Sequence, residues 1–201
     1  MNTYRLFIAI NLPPQLLNAL QLSQRQLQRK LAAFPLRWAR PEGIHLTLKF
    51  LGDADVARID DIIDALMQVG RRHAPFELAV GGLGMFPNAN RPSVLWMGVT
   101  DEHGRLRRLA GDVDKAMARM GWKRERRPFQ GHLTLARVQK RATLHERRQL
   151  GALIASLRGY EALGMLPVET FQLMRSQLHP QGAIYTTLHT IRLTAEPHRT
   201  R

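Results

Sequence analysis

The tetrapeptide His-Leu-Thr-Leu is written twice in this chain, at 45–48 and again at 132–135, 87 positions later. With 8 His, 11 Thr and 30 Leu among 201 residues, chance predicts about 0.4 copies of His-x-Thr but only about 0.01 of the full tetrapeptide. A third His-x-Thr, at 198–200, lacks the leucines and reads as a decoy. Strict alternation of polar and apolar residues is the pattern of a β-strand with one buried face. Each copy therefore predicts a strand that sets Leu46 and Leu48, or Leu133 and Leu135, into a core. His45 with Thr47, and His132 with Thr134, then stand together on the opposite face.

The elements around the two copies fall in the same order. Apolar periodicity predicts a strand at 4–11, a helix opened by Pro13-Pro14 and running to about 33, and a strand at 44–51. A helix at 55–70 and strands at 76–83 and 93–99 follow, with Asp53 and Asp55 placed at the helix start. The series then repeats: a helix at 105–120, a strand at 131–138, a helix to about 157 opened by the Thr143/Glu146 capping box, and strands at 168–175 and 183–193. Helix, His-Leu-Thr-Leu strand, helix, strand, strand thus occurs twice, over roughly 13–99 and 104–193, with negligible identity outside the tetrapeptides. We expect one bilobal α+β unit over residues 1–201, its antiparallel sheets related by a pseudo-twofold axis.

Thirty Lys and Arg against sixteen Asp and Glu leave a formal charge of +14, which favours an anionic partner, nucleic acid before a membrane surface. The absence of cysteine excludes disulfides and thiolate catalysis. The apolar run at the N-terminus is too short for a secretory core, and no stretch approaches the roughly 20 apolar residues of a membrane span. A cytoplasmic protein is the expectation.

Two His/Thr strands facing each other have a specific chemical use. Imidazole titrates near pH 6.5, so one ring can act as base while its partner acts as acid in an in-line displacement at phosphorus. Threonine hydroxyls can donate to the non-bridging oxygens, where charge grows in the transition state. A zinc site is the weaker reading, since no third ligand stands near either motif at the usual spacing. No Walker-type loop is present, which argues against ATP use.

The chain resembles the 2H phosphoesterases, a superfamily defined by two His-x-[Ser/Thr] motifs, and within it the RNA 2′,3′-cyclic phosphodiesterases, also called 2′-5′ RNA ligases. The resemblance rests on RLFIAINLP at 5–13, RWARPEGIHLTLKFLG at 37–52, GLGMFP at 82–87, RPSVLW at 91–96, FQGHLTLAR at 129–137 and the stretch 176–185. Gly131 stands where the family commonly has proline. The resemblance implies a bilobal fold with outer helices and a central cleft. It implies an enzyme without metal or cofactor that opens a terminal 2′,3′-cyclic phosphate to a 2′-phosphate, and a reversible ATP-independent joining of RNA ends through a 2′-5′ bond. His45 becomes the acid and His132 the base, with Thr47 and Thr134 holding the phosphate. Arg137 matches an arginine near the phosphate, and Phe50 an aromatic that stacks on the terminal base.

Strict alternation puts Arg137 and Phe50 on the wrong side of their strands, so each reaches the site only through a twist or bulge. Basic clusters at 71–72, 105–108, 123–127 and 140–141 are candidates to guide RNA, with 123–127 the first to test. The expected partner is RNA with cyclic phosphate ends, tRNA halves and small cyclic nucleotides among them, bound by a monomer off the membrane. Two alternatives remain: a non-catalytic RNA-end or nucleotide binder of the same fold, and the same chemistry on 2′-5′-linked oligonucleotides or ADP-ribose cyclic phosphate.

Overall fold

A computed structural model describes residues 2–179 and 182–196; the third His-x-Thr, at 198–200, lies outside them. The elements are β1 (Thr3–Asn11), α1 (Pro14–Lys30), β2 (Leu36–Trp38), β3 (His45–Asp55), α2 (Ile59–Gly70), β4 (Phe76–Phe86), β5 (Val94–Thr100), α3 (Arg105–Arg119), β6 (His132–Val138), α4 (Leu144–Ser156), β7 (Gly164–Val168), β8 (Thr170–Gln177) and β9 (Ile184–Arg192). The strands run in the order β7-β4-β5-β6-β3-β1-β8-β9, all described pairings being antiparallel, with β2 added beside β6. Between β6 and β3 a single residue pair, Leu46 with Leu133, joins two four-stranded halves.

This is the expected α+β architecture, with the two tetrapeptide strands side by side at the seam. The halves of the sheet are not the halves of the sequence. β6 lies beside β5 and β4, while β3 lies beside β1 and β8. The helices follow the same exchange, α1 packing on β7 and α4 on β4, α3 on β3 and α2 on β9. One core holds the apolar faces of the helices together with Leu46, Leu48, Leu133 and Leu135, as the alternation predicts. Among the described residues no helix is long and apolar enough to cross a membrane.

Two strands escaped the sequence reading. β2 has only three residues, and β7 carries Pro167, which cannot donate to a ladder and is tolerated because β7 is an edge strand. Asp53 belongs to β3, opposite Arg5, rather than to a helix start. Asp55 does cap, accepting from the Ala57 N–H at 3.0 Å ahead of a 3₁₀ turn that precedes α2. The Thr143/Glu146 capping box forms, its two backbone contacts at 2.6 and 3.2 Å.

A buried ion pair fastens α3 to the seam strand β3. Lys49 Nζ donates to Asp114 Oδ1 at 2.6 Å and to the Lys123 carbonyl at 2.9 Å. Asp114 also accepts from Arg124 Nε at 2.8 Å and the Glu125 N–H at 3.1 Å. Arg124, one of the 123–127 cluster, thus secures the loop that leads into β6. Removing one partner of such a pair leaves an uncompensated buried charge, at a cost of about 3–5 kcal/mol. We predict that Lys49→Met lowers the unfolding free energy by that amount in urea titration, and that adding Asp114→Leu restores most of the loss.

Candidate active site

At the seam, the sequence pattern becomes a cluster. Leu46 and Leu133 face each other across the two strands, both fully buried. In an antiparallel pair, residues opposite each other share a face. Carried one residue either way from that pair, the register sets His45 against Thr134 and Thr47 against His132. All four are half-buried, between leucines that are anchored below.

Beyond the threonines, both strands are bulged at the same place. β3 skips Leu48 between its pairings of Thr47 with Ala9 and Lys49 with Ile8. β6 skips Leu135 between Thr134 with Trp96 and Ala136 with Leu95. Burial then reads identically from each histidine: half-buried, buried, half-buried, buried, buried, exposed. The extra residue resets the alternation, so the fifth residue after each histidine returns to the cleft face. Those residues are Phe50, 71% exposed, and Arg137. The bulge that the sequence reading required for them is present twice.

Each imidazole is packed against two aromatic rings, and His132 is also held by a backbone carbonyl two residues upstream. His132 Nδ1 lies 2.8 Å from the Gln130 carbonyl, which can only accept, so Nδ1 carries the proton and Nε2 is left for chemistry. Its ring meets Phe86 edge-on at 4.8 Å and Trp96 at 6.3 Å. His45 sits 4.7 Å from Phe7 and edge-on to Tyr185 at 5.0 Å. Burial drops the His45 pKa from 6.5 to about 4, against a hydrogen bond to the Gly43 backbone that favours the protonated ring. Burial also lowers the His132 pKa, helped by the positive charge of Arg137 and opposed by the Gln130 hydrogen bond. Both rings are therefore neutral at pH 7 in the empty site.

A cavity of about 570 Å³ opens on this face, with His45, Thr47, Phe50, Thr134 and Arg137 among its lining. Five of the six residues singled out in the sequence thus meet in one cavity, and His132 stands beside it, opposite Thr47 in the seam register. The cavity wall also carries Arg5, Arg37 and Arg40, and no Asp or Glu among the described residues. None of the basic clusters noted in the sequence contributes to it. The cavity arginines come singly from separate strands and loops, which is why charge runs did not find them.

The aromatic supports were missed as well, although a signal existed. Gly84 faces Trp96 directly across β4 and β5, and a Cβ on Gly84 would run into the indole. A Gly-x-Gly inside a strand marks such a close approach. Gly131, the departure from the family pattern, leaves space that Leu106 of α3 occupies; a Cβ there would lie 2.8 Å from Leu106 Cδ2.

The family described as LigT like Phosphoesterase matches the chain over residues 10–96 and 98–185. A Methanothermobacter thermautotrophicus protein named RNA 2′,3′-cyclic phosphodiesterase is 33% identical over 94% of this chain and 98% of its own length. An Aeropyrum pernix protein of the same name is 34% identical over 79% of this chain and 86% of its own. Among solved structures, a Thermus thermophilus protein superposes with a TM-score of 0.77 at 28% identity, covering 96% of this chain and 100% of that one. LigT of E. coli has the same fold, with a TM-score of 0.74 at 24% identity and coverage of 96% and 99%.

The depressed His45 pKa carries a consequence for stability. The folded state disfavours the protonated ring, so the unfolded chain binds more protons between pH 6.5 and about 4. Stability held above pH 6.5 is lost as pH falls through that window, by about 3 kcal/mol from this residue. We predict that His45→Gln flattens the decline between pH 7 and pH 4.5, measured by urea unfolding at each pH.

Proposed function

The chain belongs to the LigT-like phosphoesterase family, and from that premise we propose that it opens the 2′,3′-cyclic phosphate at an RNA end, leaving a 2′-phosphate. The observation that carries this reading is the seam itself: two imidazoles and two threonine hydroxyls on one face, beside a cavity lined by arginines and free of carboxylates among the described residues. His132 Nε2 takes a proton from water as the water oxygen bonds to phosphorus. The bond from phosphorus to O3′ breaks, and His45 delivers a proton to that oxygen. Thr47 and Thr134 donate to the non-bridging oxygens, and Arg137 balances the charge that gathers there. Phe50, exposed at the cavity edge, offers a face to the terminal base.

A ring with a pKa near 4 is a poor acid reservoir at pH 7 in the empty site. The substrate resolves this, because an anion beside an imidazole favours its protonated form. The bound phosphate thus supplies the condition under which His45 can donate. The same attack with an RNA 5′-hydroxyl in place of water forms a 2′-5′ phosphodiester. It needs no ATP, since the cyclic ester is itself the activated group, and the step can run backwards.

Two measurements test this reading. Purified protein in EDTA, incubated with an oligonucleotide ending in 2′,3′-cyclic phosphate, is expected to yield the 2′-phosphate. His45→Ala and His132→Ala should each lower kcat by about 10²–10⁴, and Thr47→Ala or Thr134→Ala by a smaller factor. Dependence on added metal, or full activity in either histidine variant, overturns the mechanism. In the pH profile, kcat/KM reports the free protein, where both imidazole pKa values lie below 6.5. Its maximum should fall on the acid side of pH 6.5, with that of kcat displaced upward by the bound phosphate.

A further inference from the structure

Arg37 and Arg137 are direct partners across β2 and β6, both exposed and both on the cavity wall. Like charges set opposite each other on adjacent strands repel, their Cβ atoms being only about 5 Å apart. A surface pair in open water would be screened; this pair faces a concave wall that carries two more arginines and no carboxylate among the described residues. Such an arrangement is relieved when an anion lies between or along the guanidiniums.

The reacting group does not supply enough charge. A 2′,3′-cyclic phosphate is a diester with one negative charge, and Arg137 lies close enough to the reacting centre to depress the His132 pKa. Arg37 stands across from Arg137 on β2, which takes the place of β3 beside β6 past the Leu46–Leu133 pair. A second phosphate, covalently tied to the first, would supply the missing negative charge beside Arg37. In RNA that group is the phosphodiester on the 5′ side of the terminal nucleotide.

We propose that Arg37 is the subsite for this preceding phosphodiester, so that the cavity selects oligonucleotide ends over cyclic mononucleotides. The inference rests on the phosphodiesterase reading above and adds a specificity determinant to it. Arg37 takes no part in the chemical step. Its planar fork grips the penultimate phosphate and sets the terminal nucleotide at the correct depth.

The test compares a dinucleotide ending in 2′,3′-cyclic phosphate with the corresponding cyclic mononucleotide. Wild-type protein should favour the dinucleotide in kcat/KM. Arg37→Gln should lose roughly ten- to a hundredfold on the dinucleotide and stay within about twofold on the mononucleotide. The salt slope for the dinucleotide should shrink by about 0.7 in log–log units, the value of one single-strand phosphate contact. Arg25→Gln, on the outer face of α1, controls for a general loss of charge. Equal loss on both substrates, or none on either, overturns the subsite. If wild-type protein opens neither substrate, the phosphodiesterase reading fails by itself. The subsite is then decided by affinity for the 2′-phosphorylated dinucleotide against the 2′-phosphorylated mononucleotide: selective weakening in Arg37→Gln upholds it, and unchanged discrimination removes it.

Discussion

The arrangement of this protein turns on one contact, Leu46 against Leu133, where two half-sheets touch at a single residue pair. A longer ladder would close the seam into a continuous surface and leave no room above it. With no pairing, the two His/Thr strands would drift apart and lose their mutual register. A single pair of fully buried leucines fixes the strands side by side without extending the ladder between them. The hydrophobic anchoring below and the polar cluster above are therefore two faces of the same alternation. Burying each leucine is worth about 1.5–3 kcal/mol, and that energy also holds the imidazoles in place.

The bulges extend the same logic. Each tetrapeptide strand gives up strict alternation directly after its second leucine. The fifth residue from each histidine is thereby returned to the cleft, but with different chemistry: an aromatic face from β3 and a positive charge from β6. Symmetric backbone with asymmetric side chains suits the proposed substrate, which is itself asymmetric, with a base to one side of the phosphate. On β3 the reset also turns Lys49 inward, where Asp114 receives it and α3 is tied to the seam.

What could be read from the chain alone follows from how local each feature is. Leucine alternation, the proline start of α1 and the Thr143/Glu146 box are settled by neighbours a few residues apart, and each appears in the structure. That His45 shares a face with Thr47, and His132 with Thr134, needed only the strand period; that the two pairs adjoin needed the β3–β6 contact. The phase reset that brings Phe50 and Arg137 into the cleft depends on cross-strand register, which no window of sequence contains. Topology was hidden for the same reason. The repeated element order did not disclose that β5 and β1 occupy the matching places beside β6 and β3. Arginines scattered at 5, 37 and 137 converge only through pairing between distant segments.

Charge and burial at this site pull against each other in the empty protein. Burial strips both imidazoles of their protons, and Arg137 reinforces the effect on His132. Arg137 and the other cavity arginines have no carboxylates on the cavity wall, among the described residues, to neutralise them. On the proposed reaction an entering phosphate offsets these penalties together: it balances part of the guanidinium charge, accepts from the threonine hydroxyls, and makes a protonated imidazole favourable. In the proposed reaction substrate binding and acid–base readiness are a single electrostatic event, and a neutral ligand of the same shape would produce neither.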